Sequence, residues 1–260
     1  MRSLVVGIRR FMLMVLPVMM GLTWPAIGSV DSAGRSDDGA DGIRNVILVI
    51  GDGMGFPAIG LLRQYAMLAP ASIYRDREGI TALEQTMREG QIGLLFTDPF
   101  GALVPDSAAA ASQMATGRMS LLECIGGDSQ GEPIETVLEC ATRLGKATGL
   151  VSDTRITHAT PASFASHVFH RSEESEIARQ LVHPVTGPDV MLSGGLRYFV
   201  PRSYNQASGD SEPGFPVWSM SREIPFAVKS KRSDAIDLVD RAIKEAGYDV
   251  VFTREALAAA

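Results

Sequence analysis

The sequence predicts an α/β protein built on a central, mostly parallel sheet with helices on both faces. Two observations carry this. Short apolar runs such as "NVILVI" (Asn45–Ile50) and "ATGLVSD" have the continuous hydrophobicity of strands buried on both faces, and segments of helical periodicity alternate with them. Residues able to do chemistry also stand just past these runs, where open parallel sheets bind ligands.

The elements follow in chain order. Arg2, Arg9 and Arg10 precede the apolar run "FMLMVLPVMMGLTWPAIG", and Ala26-x-Gly28 gives a small-residue cleavage pattern. Residues 1–28 therefore resemble a secretory signal peptide, and the run is short for a spanning helix. An uncleaved anchor is the alternative. Residues 29–42, polar and rich in Gly and Asp, are expected to be a disordered linker, and the fold starts at residue 43. "NVILVI" is read as the first strand, "GDGMG" as a turn, "FPAIGLLRQYAML" as a helix, and "TALEQTMREG" as a helix ended by Gly90. "QIGLLFT" and "GALVP" are read as strands, and a helix follows Ser107. "PIETVLECATRLG" is expected to be an amphipathic helix with Pro133 near its first position and Gly145 at its end. "ATGLVSD", "DVMLSGG" and "YDVVFT" complete the strands, with helices over "EESEIARQLV" and "DAIDLVDRAIKEAG". The segment from Tyr198 to Pro225, rich in Pro, Ser and Gly, is expected to be a surface insertion.

The chain of 260 residues is long enough for one large domain or two small ones. A net charge of -6 argues against a nucleic-acid binder and leaves small-molecule chemistry open. The two cysteines, Cys124 and Cys140, could form a disulfide after export, or Cys140 could stay a buried thiol on the apolar side of its helix.

Several residue patterns carry chemistry. Asp52 stands at a strand end among glycines. The spacing Gly53-x-Gly55-x-x-Ala58 resembles a dinucleotide fingerprint, but a carboxylate there would repel a pyrophosphate, so a metal ligand suits it better. In "VPDSAAAASQMATG", Asp106 and Ser107 stand at the mouth of an alanine-rich helix. Either residue serves as a cap, or Ser107 is a nucleophile activated by a metal or another group, since no Gly-x-Ser-x-Gly elbow is present. "THATPASFASHVFHR" supplies His158, Thr160, His167, His170 and Arg171. His167 and His170 have a spacing that suits metal on a helix, or are ordinary histidines there. Arg171 can clamp an oxyanion or be a surface arginine.

Together, "NVILVIGDGMG", "VPDSAAAASQMATG", "ITHATPASFASHVFHR" and "DVMLSGGLRYFVP" occur in the order and spacing of alkaline phosphatases. The resemblance runs from about Arg44 to the chain end. It implies a three-layer α/β/α alkaline phosphatase-like fold, incomplete in this chain, with residues 43–260 as the N-terminal part of the catalytic domain. It implies hydrolysis of phosphate monoesters through a phosphoserine, with two zinc ions and one magnesium. Ser107 would be the nucleophile, Arg171 would hold the phosphate oxygens and Asp106 would orient Arg171. Asp52 would bridge a zinc and the magnesium, Thr160 would ligate magnesium, and His158 would lie near the magnesium shell. His158 departs from the Asp of some relatives, and imidazole suits zinc better than magnesium.

The family's remaining metal ligands come from its C-terminal half, so the expectation is a partial chain, inactive when isolated. The resemblance also suggests a homodimer, a periplasmic or secreted location, and no stable membrane association once the signal is cleaved. Two alternatives remain: a phosphodiesterase or sulfatase of the same superfamily, and a non-catalytic phosphate-binding chain. An Asp106–Arg171 pairing favours monoesters over diesters, because it engages a non-bridging oxygen that a diester, with one fewer, lacks.

Overall fold

The computed structural model describes residues 43–74, 79–204, 217–219, 222–224 and 228–259. The expected signal peptide (1–28) and linker (29–42) lie outside the described residues, as do residues 205–216 of the expected insertion. The described residues form two compact units, one ending at Phe96 and the other beginning at Thr97.

The first unit carries α1 (Phe56–Leu68) and α2 (Ala82–Glu89). Pro57 suits the first turn of α1, where its missing N–H costs nothing. α2 opens on a capping box: Thr81 Oγ1 accepts from Glu84 N–H at 3.1 Å, and Glu84 Oε2 accepts from Thr81 N–H at 3.0 Å. Gly90 ends it, as the sequence predicts. The strand expected over Asn45–Ile50 does not form a ladder; a single bridge position at Ile47 is all the run shows. Val46 and Val49 are exposed. An apolar run becomes a strand only when a neighbour pairs its backbone, and the residue pattern does not supply the neighbour. Asp52 lies exposed in the turn that follows, beside Gly53 at φ +68°.

The second unit holds the remaining elements. α3 (Ser107–Thr116) and α4 (Val137–Arg143) precede β1 (Gly149–Arg155). A short α5 (Ala159–Ala162) and α6 (Glu174–Leu181) lead to β2 (Val190–Gly194) and a 3₁₀ turn at Leu196–Tyr198. β3 (Val217–Ser219) pairs antiparallel with β4 (Arg222–Ile224), and α7 (Leu238–Lys244) and α8 (Arg254–Ala259) close the chain. β1 and β2 are parallel, in register at Gly149↔Val190 and Val151↔Leu192 before a shift to Arg155↔Gly194. This is the predicted β-helix-β crossover. The strands expected over "QIGLLFT", "GALVP" and "YDVVFT" are absent among the described residues, for the same lack of a ladder partner.

The helix expected from Pro133 begins four residues later. Thr136 and Glu139 form a second capping box, which sets the start, while Pro133 is drawn into an antiparallel bridge with Gly127. Gly145, at φ +73°, ends that segment as expected. Asp237 caps α7, so the helix predicted from Asp234 also starts late.

The core of the second unit packs Ala178 of α6 and Val182 at its end with Leu238 and Ala242 of α7 and with Tyr248. Burying Leu238 completely stabilises by about 2 kcal/mol. The Tyr248 hydroxyl donates to the Pro188 carbonyl beneath this layer. The end of β1 is tied to α6 by a bidentate pair, Arg155 to Glu174 at 2.8 and 3.0 Å. α3 packs on α5, and Ala108, Ala109 and Ala111 of α3 are fully buried. Both cysteines are free. Cys124 is buried, and burial pushes its thiol above the ordinary value.

Candidate functional site

The site is assembled at the start of α3. Asp106 is the N-cap: its carboxylate accepts from Ala108 N–H and Ala109 N–H, each at 3.1 Å. Ser107 occupies the first helical position, so its hydroxyl is not used as the cap. Arg171 reaches back 64 residues along the chain, and its Nη1 donates to Asp106 Oδ2 at 2.8 Å and to Ser107 Oγ at 2.9 Å. The Asp106 and Arg171 side chains are 19% and 22% exposed, so the pair is shielded yet reachable from solvent.

A backbone clasp delivers Arg171 there. Ile125 and Val168 exchange N–H···O bonds at 3.0 and 3.2 Å, and Arg171 N–H donates to Glu123 O at 2.8 Å. Glu123 N–H in turn donates to Asp106 Oδ1 at 3.1 Å. Glu123 thus joins Arg171 and Asp106 through its backbone, and it does so at φ +62°. On α3, Ser112 Oγ donates to Cys124 O at 3.0 Å and accepts from Gly126 N–H at 2.8 Å, which holds the same loop on the helix. A side chain at Gly126 would press on Ser166 O, so the turn demands glycine for space and for its φ of +61°.

The electrostatics favour an ionised Asp106. Burial alone would raise its pKa. Hydrogen bonds from Ala109, Glu123, Arg171 and Ala108 outweigh that and hold it below the ordinary carboxylate value.

Other residues of interest lie nearby or apart. His158 precedes α5, and its Nε2 stands 3.4 Å from Arg171 Nη2. A guanidinium can only donate, so His158 Nε2 is the acceptor in this contact. Thr160 is half-buried in the first turn of α5. Asp52 belongs to the first unit. His167 and His170 do not share a helix, because residues 163–170 form turns and a bridge. His167 Nδ1 lies 2.8 Å from Gly126 O and Nε2 lies 2.8 Å from Glu139 Oε1. Both partners accept, so the protonated ring, with a proton on each nitrogen, fits both contacts. Burial works against that charge, but the Glu139 and Gly126 bonds outweigh it and raise the pKa above the ordinary value.

The residues present do not by themselves fit the expected metal ions. A catalytic zinc takes about three protein ligands and an open position. Here Asp106 is saturated by N–H donors, and the His158 Nε2 lone pair faces a cation. Among the described residues no group of three or more His, Cys, Asp or Glu is placed to hold a metal ion.

Sequence reasoning placed Asp106, Ser107 and Arg171 in one site, and the structure brings them together. It did not find Glu123 or Ser112, or the role of His167. Thr136-x-x-Glu139 was a readable signal for the partner of His167. Nothing local marks Glu123 as a residue of left-handed backbone.

Comparison with known proteins gives a consistent picture. The sequence model of alkaline phosphatase matches residues 43–260. Alkaline phosphatase 3 of Bacillus subtilis is 34% identical over 224 residues, covering 82% of this chain and 46% of that protein. Alkaline phosphatase 4 of the same organism is 33% identical over 190 residues, covering 71% and 40%. A cold-active alkaline phosphatase from Shewanella sp. superposes with a TM-score of 0.51 at 31% identity, over 62% of this chain and 39% of that one. The chain thus spans less than half the length of these relatives.

Proposed function

Because this chain belongs to the alkaline phosphatase family, we propose that it takes part in the hydrolysis of phosphate monoesters, with Ser107 as nucleophile. One observation carries the reading: a single guanidinium nitrogen donates to both Asp106 and Ser107 Oγ at the start of α3. A donor on Oγ favours the alkoxide form, and the same arginine offers further N–H groups to the non-bridging oxygens of a phosphate. Ser107 Oγ attacks phosphorus as the P–O bond to the ester oxygen breaks, and its proton passes through solvent to that departing oxygen. The substrate alcohol departs protonated, leaving a phosphoserine that water then hydrolyses. Arg171 offsets the charge that spreads over the phosphoryl oxygens, and Asp106 keeps the arginine turned toward them.

Metal ions are general in the family and would supply further charge neutralisation. The expected zinc and magnesium would need ligands in addition to Asp52, Ser107, Thr160 and His158. Export to the periplasm or medium is part of the same proposal and rests on residues 1–28. Among the described residues no helix is long and apolar enough to cross a membrane.

The reading is tested by steady-state hydrolysis of an aryl phosphate by the native gene product. Ser107→Ala should lower kcat by at least about 10³-fold. A Ser107→Ala enzyme that keeps the parent rate would overturn it.

A further inference from the structure

Glu123 departs from backbone rules beside the clamp. It is the one non-glycine residue at positive φ among the described residues, and that conformation crowds an L side chain. The backbone geometry there is needed, since Glu123 N–H serves Asp106 and Glu123 O serves Arg171 N–H. A glycine would make both bonds without crowding. The side chain is therefore carried at a cost, and its position suggests what it does. Glu123 Oε2 lies 3.9 Å from Arg171 Nε, on the edge of the guanidinium away from the Nη1 that serves Ser107. It also stands 3.8 Å from His170 Nε2. The carboxylate is 42% exposed, so water screens its charge without removing it.

Resting on the reading of Arg171 as the phosphate clamp, we propose that the Glu123 carboxylate is a counter-charge that weakens the hold of Arg171 on bound phosphate and so favours product release. The backbone of Glu123 positions Arg171, and the side chain sets how strongly the clamp binds an anion. Asp106 already neutralises one edge of the guanidinium, and Glu123 adds a second negative charge on another. An incoming phosphate dianion then meets a site less positive than the arginine alone would make it. Removing the carboxylate while keeping the backbone should raise affinity for inorganic phosphate.

The test is titration of the native gene product with inorganic phosphate by calorimetry, at low and high salt. Glu123→Gln should bind phosphate about threefold more tightly, the size expected of a half-exposed charge. The gain should shrink as ionic strength rises, which a purely structural effect would not do. Product inhibition and KM should fall together while kcat does not rise in proportion, and Glu123→Asp should restore parental affinity. Glu123→Gly should share the tighter binding and also unfold at a higher temperature, because the crowded backbone is relieved. Arg171→Ala separates the two claims. If it weakens phosphate while Glu123→Gln leaves affinity unchanged, lowers it, or changes it independently of salt, the counter-charge is refuted and the clamp stands. If Arg171→Ala binds phosphate as the parent does, or the parent does not bind it, the clamp fails and the role of Glu123 fails with it.

Discussion

His167 shows at the residue scale how the site is held. Its two hydrogen bonds join the Gly126 turn to Glu139 of α4, one step from the strand-like segment that carries Arg171. Its pKa in the folded protein is raised from 6.5, so its contribution is complete below about pH 6.5 and is lost as pH rises through the folded-state value. Glu139 resists burial through bonds from His167 and Thr136, and its pKa is lowered from 4.5. Its contribution is complete above about pH 4.5 and is lost as pH falls through the lowered value. The pair is therefore at full strength between those ordinary values. His167→Gln should cost about 2 kcal/mol in mildly acidic buffer, the scale of a hydrogen bond to a charged group. The gap to the parent should narrow as pH rises above 6.5 through the raised folded-state value, read by urea unfolding across that range. A gap independent of pH would mean that the ring is neutral in the fold. Spacing to His170 could not reveal this role, because the partners of His167 lie 28 and 41 residues away.

Two helices of the molecule open with the same device and differ in what else it does. Thr81 caps α2 and serves little beyond it. Thr136 caps α4 and also donates from Oγ1 to Phe164 O at 2.6 Å, in the segment leading to His167. Thr136→Ala should therefore cost about 2 to 3 kcal/mol, a lost cap together with a buried carbonyl left without its donor. Thr81→Ala should cost only about 1 kcal/mol. Equal losses in urea midpoint would show that the Phe164 bond contributes nothing. Helices were the legible part of this fold. The glycines at 90 and 145 and the apolar spacing are local signals, and they marked the helices, with starts displaced at α4 and α7 where a cap overrode the pattern. Strands were far less legible. "GLVS" and "DVMLS" pair with each other, whereas "NVILVI", as apolar as either, finds no ladder and leaves Val46 and Val49 exposed. Hydrophobicity alone cannot tell a chain segment what it will pair with.

The site belongs to the whole molecule, since no local stretch contains it. Asp106 and Ser107 come from the start of one helix, and Arg171 arrives by way of β1, α5 and the Ile125–Val168 bridge. Each motif alone admitted an ordinary reading, Asp-Ser as a cap and Arg171 as a surface residue. The cap reading holds for Asp106, which does that work and also accepts from Arg171 Nη1. What the sequence could not carry was the clasp through Glu123, because a left-handed glutamate has no local signature. The central claim is that this assembly makes Ser107 the phosphoryl acceptor. The most direct measurement is acid quench of the native gene product during turnover of a radiolabelled phosphate monoester, followed by peptide mapping. The account predicts covalent phosphate on the peptide that begins α3, at Ser107, and none there in Ser107→Ala. Label on any other residue, or turnover with no covalent phosphate at any pH, would contradict it.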